Sequence, residues 1–277
     1  MSAPAAPGSR DDRAAYDVGR RARLDLVFTE RTGRTVLAHS YAEPPMRIGR
    51  CFEAGGWAHL IVASSAPGIF GGDSVEQSVR VCRGARVRLT SQSAVQLHPS
   101  PSGVPASLVS QYDVSAGGEL CCTWDPVIPF AGSSIVHRIE IAVEPGARLW
   151  WSDAMMCGRE GSGERWLFER FEHQLSVRRG DTLSFLERYA IEPARRPLSA
   201  PWVAGDAAYV GTIIRAGYGD RPADAERVHR TLADLAGVRG SADVVDDDLL
   251  LVRILASTGV PFHNARRAVA EKLEVRS

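Results

Sequence analysis

A glycine-rich segment that ends in an acidic residue is the first candidate for chemistry in this sequence. Residues 66–73 read Ala-Pro-Gly-Ile-Phe-Gly-Gly-Asp, so Asp73 directly follows Gly71 and Gly72. The segment is neither a phosphate-binding P-loop nor a dinucleotide-binding fingerprint. The glycines permit a backbone turn that other residues do not make. From the residues alone, the favoured interpretation is a tight turn in which the aspartate accepts hydrogen bonds from its own amides.

A second candidate spans residues 153–164. It combines Asp153 at a predicted strand end, Arg159 after a glycine, and Glu164 shortly before an apolar Trp-Leu-Phe. Two carboxylates near an arginine suit acid–base chemistry or hard ligands for a metal ion in transit. A surface salt bridge in a flexible loop is the alternative, and the residue types alone favour it.

Four glycines at the centres of predicted turns recur at similar intervals. They are residues 84, 117, 146 and 180, so the intervals are 33, 29 and 34 residues. If the units stack in phase, the residues seven positions after each glycine form one row. Three of the four residues in this row are polar. We interpret this row as the lining of a wet channel or groove, with a polar solvent face as the alternative. In chain order its members are Ser91, Trp124, Asp153 and Glu187.

Short alternating apolar runs between glycine-centred turns fill most of the first 217 residues, and this alternation predicts β-strands. Each recurring unit reads as two strands about a tight turn. Because a single hairpin cannot bury its apolar face, the units are expected to stack. An earlier hairpin over residues 24–41 is predicted to cap them. The predicted fold class is mainly β, a stacked β-hairpin or β-solenoid-like scaffold, with a jelly roll or a sandwich of hairpins as alternatives.

After Gly217 the apolar spacing becomes helical. The resulting fold carries a small C-terminal helical portion at about 223–275. Helices are predicted over 223–235, over 246–255, where three leading aspartates suit a helix N-terminus, and from 262 to about 275.

The N-terminal residues 1–22 are rich in Ala, Pro, Arg and Asp and contain no apolar core. They are predicted to be a flexible tail and not a signal peptide. Residues 23–277 are predicted to form a single domain, with strands to about 217. An intracellular, cytoplasmic location is expected.

Composition narrows the function classes. Lys plus Arg and Asp plus Glu are 33 each, so the formal net charge is zero and neither nucleic acid nor a membrane is an expected partner. Lys272 is the only lysine, which excludes a Walker A loop and disfavours Schiff-base chemistry. The five cysteines form no Cys-x-x-Cys pair. The seven histidines lack metal-site spacing and are interpreted as surface or satisfied side chains, with a three-histidine site from distant loops left open.

Four segments, in order along the chain, resemble motifs of the urease accessory proteins of the UreD (or UreH) family. The resemblance covers roughly residues 24–275, and four motifs in order are a specific signal. The similar segments are Gly-Ile-Phe-Gly-Gly-Asp at 68–73, Leu-Thr-Ser-Gln-Ser-Ala at 89–94, Asp-Pro-Val-Ile-Pro-Phe at 125–130, and Asp153 with Gly158-Arg159 and the Gly-Glu-Arg-Trp-Leu-Phe of 163–168. Residues 250–256 also resemble the family's C-terminal helix.

The resemblance implies a non-catalytic scaffold without a permanently bound cofactor. Its partners would be a UreF-type accessory protein, a UreG-type GTPase and the urease apoprotein. Nickel would pass from the GTPase to urease through a water-filled passage in this protein. A transit route should hold Ni²⁺ weakly, which suits a few carboxylates and hydroxyls better than a His/Cys cage.

Combined with the candidate loops and the predicted row, the resemblance suggests roles for single residues. Transient Ni²⁺ contacts are expected at Asp73, Ser91, Asp153 and Glu164. Gly71, Gly72 and Arg159 are expected to be structural, Arg159 through paired hydrogen bonds to a carboxylate.

Two other functions remain as alternatives. A β-solenoid carbohydrate-active hydrolase or lyase would use a row of carboxylates, although few aromatic residues lie near the acidic ones in the sequence. A plain protein-interaction module would have no ion path.

Overall fold

The computed structural model describes residues 19–99, 103–246 and 248–274 of the 277-residue chain. β-Strands dominate these residues, and a 3-10 helix covers Glu160–Ser162. The helices are α1 (Pro222–Ala233) and α2 (Gly259–Lys272). The strands are β1 (Arg21–Arg31), β2 (Arg34–Ala42), β3 (Met46–Ile48), β4 (Phe52–Ala54), β5 (Trp57–Ser64), β6 (Ser74–Val81), β7 (Arg86–Ser91), β8 (Val95–Leu97), β9 (Ala106–Val114), β10 (Glu119–Thr123), β11 (Val127–Pro129), β12 (Ser134–Val143), β13 (Arg148–Met156), β14 (Arg170–Arg179), β15 (Thr182–Ile191), β16 (Tyr209–Ala216), β17 (Val238–Asp246) and β18 (Leu249–Ala256).

The strands form two sheets with a shared core between them. Sheet A has the order β15-β14-β12-β9-β6-β1-β2, and sheet B has the order β17-β18-β16-β13-β10-β7-β5-β3, with short strands attached at its side. Inward side chains of both sheets, such as Leu26 and Val79 in sheet A and Leu89 and Leu149 in sheet B, belong to one buried cluster. This burial explains the alternation of apolar residues in the sequence.

The predicted stacking is confirmed, but three of the four recurring units are not hairpins. The strands on either side of Gly84, Gly117 and Gly146 lie in opposite sheets, and each pairs in parallel with its counterpart in a neighbouring unit. The mainly β, solenoid-like fold is therefore correct, with coils in place of stacked hairpins. A tight turn between alternating strands looks the same in the sequence whether the chain reverses within one sheet or crosses to the other.

True hairpins close both ends of sheet A. β1 pairs antiparallel with β2, as predicted for residues 24–41, and also in parallel with β6. The unit about Gly180 is a hairpin of β14 and β15. These hairpins place an antiparallel pair at each end of the parallel stack.

The C-terminal region corrects the predicted helical portion. Two of its three helices are present, but the segment predicted as the middle helix contains strand β18 (Leu249–Ala256), which pairs antiparallel with β16 and β17. One face of β18 is buried against the helices, and the other is partly buried against the inter-sheet core. Its apolar run therefore lacks the alternation of a half-exposed strand. No helix among the described residues is long and apolar enough to cross a membrane.

The domain boundaries also need adjustment. Strand β1 begins at Arg21, inside the predicted tail of residues 1–22. The prediction for residues 1–18 lies outside the described part of the chain. Helices α1 and α2 pack on the outer face of sheet B, where Phe262 and Val228 contact a cluster that includes Trp150. The architecture is thus sheet, sheet and helices in three layers.

Candidate functional site

A cavity of about 330 Å³ lies between the two sheets, where the strands of sheet A begin and those of sheet B end. Three of the four residues expected to contact nickel line it, namely Asp73, Ser91 and Asp153. Asp125 lines it as well. Residues 66–69 and 92–96 also line it.

Asp73 also fulfils the structural role that the residues alone favoured. Its Oδ1 accepts a hydrogen bond from the Arg20 amide at 2.8 Å, and its Oδ2 accepts one from the Phe70 amide at 2.9 Å. The preceding Gly72 has φ of 87°, a conformation that L side chains rarely adopt. Asp73 is 8% exposed, so its free lone pairs face the cavity and not bulk solvent.

Ser91 and Asp125 form a closed pair at the end of β7. The Ser91 hydroxyl donates to Asp125 Oδ2 at 3.0 Å and accepts from the Asp125 amide at 2.8 Å. In the sequence, Asp125 directly follows Trp124 of the predicted row. Its motif, Asp-Pro before a β-strand, gave no indication that the carboxylate would reach the serine of the neighbouring coil.

The predicted row is confirmed for its first three members. The register aligns Thr90, Thr123 and Ser152 across β7, β10 and β13, so the residues that follow them are neighbours. Glu187 departs from the row because its unit is a hairpin in sheet A.

The row continues in sheet B with residues that the sequence did not indicate. Asp153 pairs in register with Thr212 of β16, which pairs with Arg253 of β18. Arg253 donates to Thr212 Oγ1 at 2.6 Å and to Glu187 Oε2 at 2.9 Å. Glu187 thus meets the end of the row from the opposite sheet.

Asp153 is the carboxyl group whose acidity changes most clearly. Burial raises its pKa to about 6, and the nearby charge of Glu187 acts in the same direction. The side chain keeps a partly accessible surface, which faces the cavity.

Two inward histidines stand in sheet A. His137 of β12 and His173 of β14 are register partners, with ring centroids 5.1 Å apart, and His137 lines the cavity. Burial lowers the pKa of His137 to about 4 and that of His173 well below its usual value, so both rings are uncharged at neutral pH. Sequence reasoning treated both as ordinary side chains.

Glu164 lies apart from these groups and does not line the cavity. Arg159 donates paired hydrogen bonds to its carboxylate, one of them 2.9 Å from Nε to Oε2, and the Ala131 amide donates to the same oxygen at 3.0 Å. The Arg159 guanidinium lowers the pKa of Glu164 and stacks 4.1 Å from the Phe130 ring centroid. At Gly158, with φ of 131°, a Cβ atom would lie 2.4 Å from the Glu164 carbonyl oxygen. The arrangement is that of a braced loop.

The described residues contain no group of three or more His, Cys, Asp and Glu side chains placed to hold one metal ion together. Asp73 and Asp125 instead each have separate hydrogen-bond partners. Contrary to the sequence expectation, aromatic residues do lie near them, but Tyr112 and Trp151 are 2% and 1% exposed and pack edge to face. They therefore offer no open platform for a sugar ring.

The fold and site together define a β-solenoid-like protein with an acidic cavity between its sheets. A family model described as UreD urease accessory protein matches residues 20–276. The chain belongs to the UreD family of urease accessory proteins, as its motifs predicted.

Individual relatives agree with this assignment. The chain is 36% identical over 188 residues to the urease accessory protein UreD of Sorangium cellulosum, an alignment that covers 66% of this chain and 58% of that protein, and so less than two thirds of it. It is 29% identical over 259 residues to urease accessory protein UreD 2 of Streptomyces griseus, covering 90% of this chain and 87% of the relative. A UreD protein of Acetivibrio thermocellus is 30% identical over 177 residues, with 63% and 67% covered.

Proposed function

We propose that this protein is a non-catalytic urease maturation chaperone that conducts nickel to the urease active site. In this role it forms a cytoplasmic complex with a UreF-type accessory protein, a UreG-type GTPase and the urease apoprotein. Ni²⁺ is cargo that passes through and is not a resident cofactor. The observation that carries the proposal is the acidic cavity between the sheets, lined by Asp73, Asp125 and Asp153.

The chemistry of the cavity suits transfer better than storage. Both oxygens of Asp73 already accept amide hydrogen bonds, and Asp125 accepts one from Ser91, so each has only its remaining lone pairs for an ion. Separate oxygen ligands of this kind bind Ni²⁺ more weakly than a cluster of imidazoles or thiolates. An ion can therefore enter and leave the cavity without being bound tightly.

The test is the nickel content of urease co-expressed with its accessory proteins and this chain. Asp73→Asn combined with Asp153→Asn is expected to lower nickel per urease by about tenfold or more, the range typical of changes close to a metal. Co-purification of the complex should be unchanged, because both side chains are internal. Asp113→Asn, on an exposed position of β9, is the matched control.

Normal nickel loading by the double variant would remove these carboxylates from the route. Glu164→Gln provides a further arm in the same assay. Since Glu164 is held by Arg159 outside the cavity, this substitution is expected to leave loading near the wild-type level.

A further inference from the structure

His137 and His173 form a buried pair whose position the packing of the fold does not require. They are 9% and 5% exposed and point inward from neighbouring strands of sheet A. The pair lies beside the cavity, because His137 is part of its wall. Tyr189 of β15 stacks on His173, with ring centroids 4.9 Å apart.

The separation of the two rings matches that of imidazoles which share one metal ion. Metal–nitrogen bonds of about 2.1 Å and a ligand angle between about 90° and 110° put two ring centroids roughly 4.5–5.3 Å apart. The observed distance is 5.1 Å, with the ring planes inclined by 66°. The spacing of the two rings is therefore compatible with both binding one ion.

An unpartnered nitrogen is the second, independent indication. Nδ1 of His173 is buried without a hydrogen-bond partner. Leaving such a buried group without a partner destabilises the folded state. The ring contacts to Phe171 and Tyr189 would be equally available to a phenyl ring. Packing alone thus accounts for an aromatic ring at this position but not for its nitrogen atoms.

We infer that His137 and His173 form a binding site for a first-row divalent transition metal ion and act as the selective step beside the acidic cavity. This inference rests on the proposed function and adds selectivity to it. Carboxylate oxygens accept Mg²⁺ and Ca²⁺ as well as Ni²⁺, whereas imidazole favours nickel, zinc and copper. Arg253, whose charge acts on His173, is already paired with Glu187 at 2.9 Å.

The experiment measures metal binding to the purified full-length chain by calorimetric titration with NiCl₂ and, separately, MgCl₂. His137→Phe and His173→Phe are each expected to weaken Ni²⁺ binding by about tenfold or more and to leave the response to Mg²⁺ unchanged. His39→Gln, on an exposed position of β2, should bind like the wild type. Thermal unfolding of the same samples shows whether each variant is folded.

X-ray absorption at the nickel edge of the wild-type chain gives a result that does not depend on any variant. Two imidazole scatterers on Ni²⁺ are expected. A spectrum with oxygen ligands alone, or equal Ni²⁺ affinity in folded Phe variants and the wild type, would overturn the histidine site.

The two proposals fail in different ways. If the nickel spectrum or the Phe variants overturn the histidine site, the acidic cavity still stands as the proposed nickel route. The opposite outcome combines two results: the Asp73 and Asp153 double variant loads urease with nickel normally, and the unmutated chain binds nickel through imidazole. That outcome overturns the route and supports the histidine site.

Discussion

Asp153 is the residue at which the candidate function and the stability of the fold oppose each other. Its carboxyl has a pKa of about 6 because of burial, compared with 3.8 for an unperturbed aspartate. Between these values the folded state binds more protons than the unfolded state, so stability falls as pH rises through this window. At neutral pH the ionised side chain therefore destabilises the fold that holds it.

Asp153→Asn is expected to raise the free energy of unfolding at pH 7.5 by up to about 3 kcal/mol. At about pH 3 the gain should be nearly lost, because most of the wild-type carboxyl is then uncharged in both states. Urea unfolding at the two pH values measures the difference, with Asp113→Asn as the exposed control. An equal gain at both pH values would contradict the buried-charge explanation.

Helix α2 connects the outer layer to the strands that carry the site. Arg266 is 8% exposed and crosses to the outer side of β13, where Nε donates to Ser152 Oγ at 3.0 Å and Nη2 donates to the Trp124 carbonyl at 3.0 Å. Ser152 directly precedes Asp153, and Trp124 directly precedes Asp125. One helical side chain thus fixes the backbone at two cavity carboxylates.

Arg266→Met is expected to lower the free energy of unfolding by about 2–4 kcal/mol, because it leaves buried acceptors without a donor. The neighbouring Arg267 is exposed and contacts Asn264, so Arg267→Met is a matched control with little expected effect. Chemical denaturation of both variants provides the measurement. A similar small change in the two would show that the Arg266 contacts contribute little.

Sequence patterns predicted most of the strands but not all of their partners. Alternation and turn glycines predicted strands, stacking and the alignment of Ser91 with Asp153, since all of these follow from local geometry. They did not show that the chain crosses between sheets at Gly84, because strand partners are set by tertiary packing. β18 was missed because its sequence is apolar on both faces and so lacks the alternation of apolar and polar residues. The proximity of His137 to His173 was missed because it depends on the register of β12 and β14.

At the scale of the whole molecule, the C-terminal region is part of the solenoid and not an appendage to it. β18 pairs along its length with β16, and Leu249 belongs to the inter-sheet core. On the outer face, Trp150 and Ile213 are buried only together with α1 and α2. The predicted single domain can therefore be tested as a statement about cooperativity.

Calorimetry of the full chain is expected to show one unfolding transition with equal calorimetric and van't Hoff enthalpies. A chain that ends at Gly217 should show no cooperative transition, because it loses the partner strand of β16 and leaves Trp150 in water. Circular dichroism of the truncated chain would report residual strands. Two separate transitions in the full chain, or a sharp transition in the truncated one, would contradict this expectation. Either result would mean that the coils fold independently and that the helices are not needed for their stability.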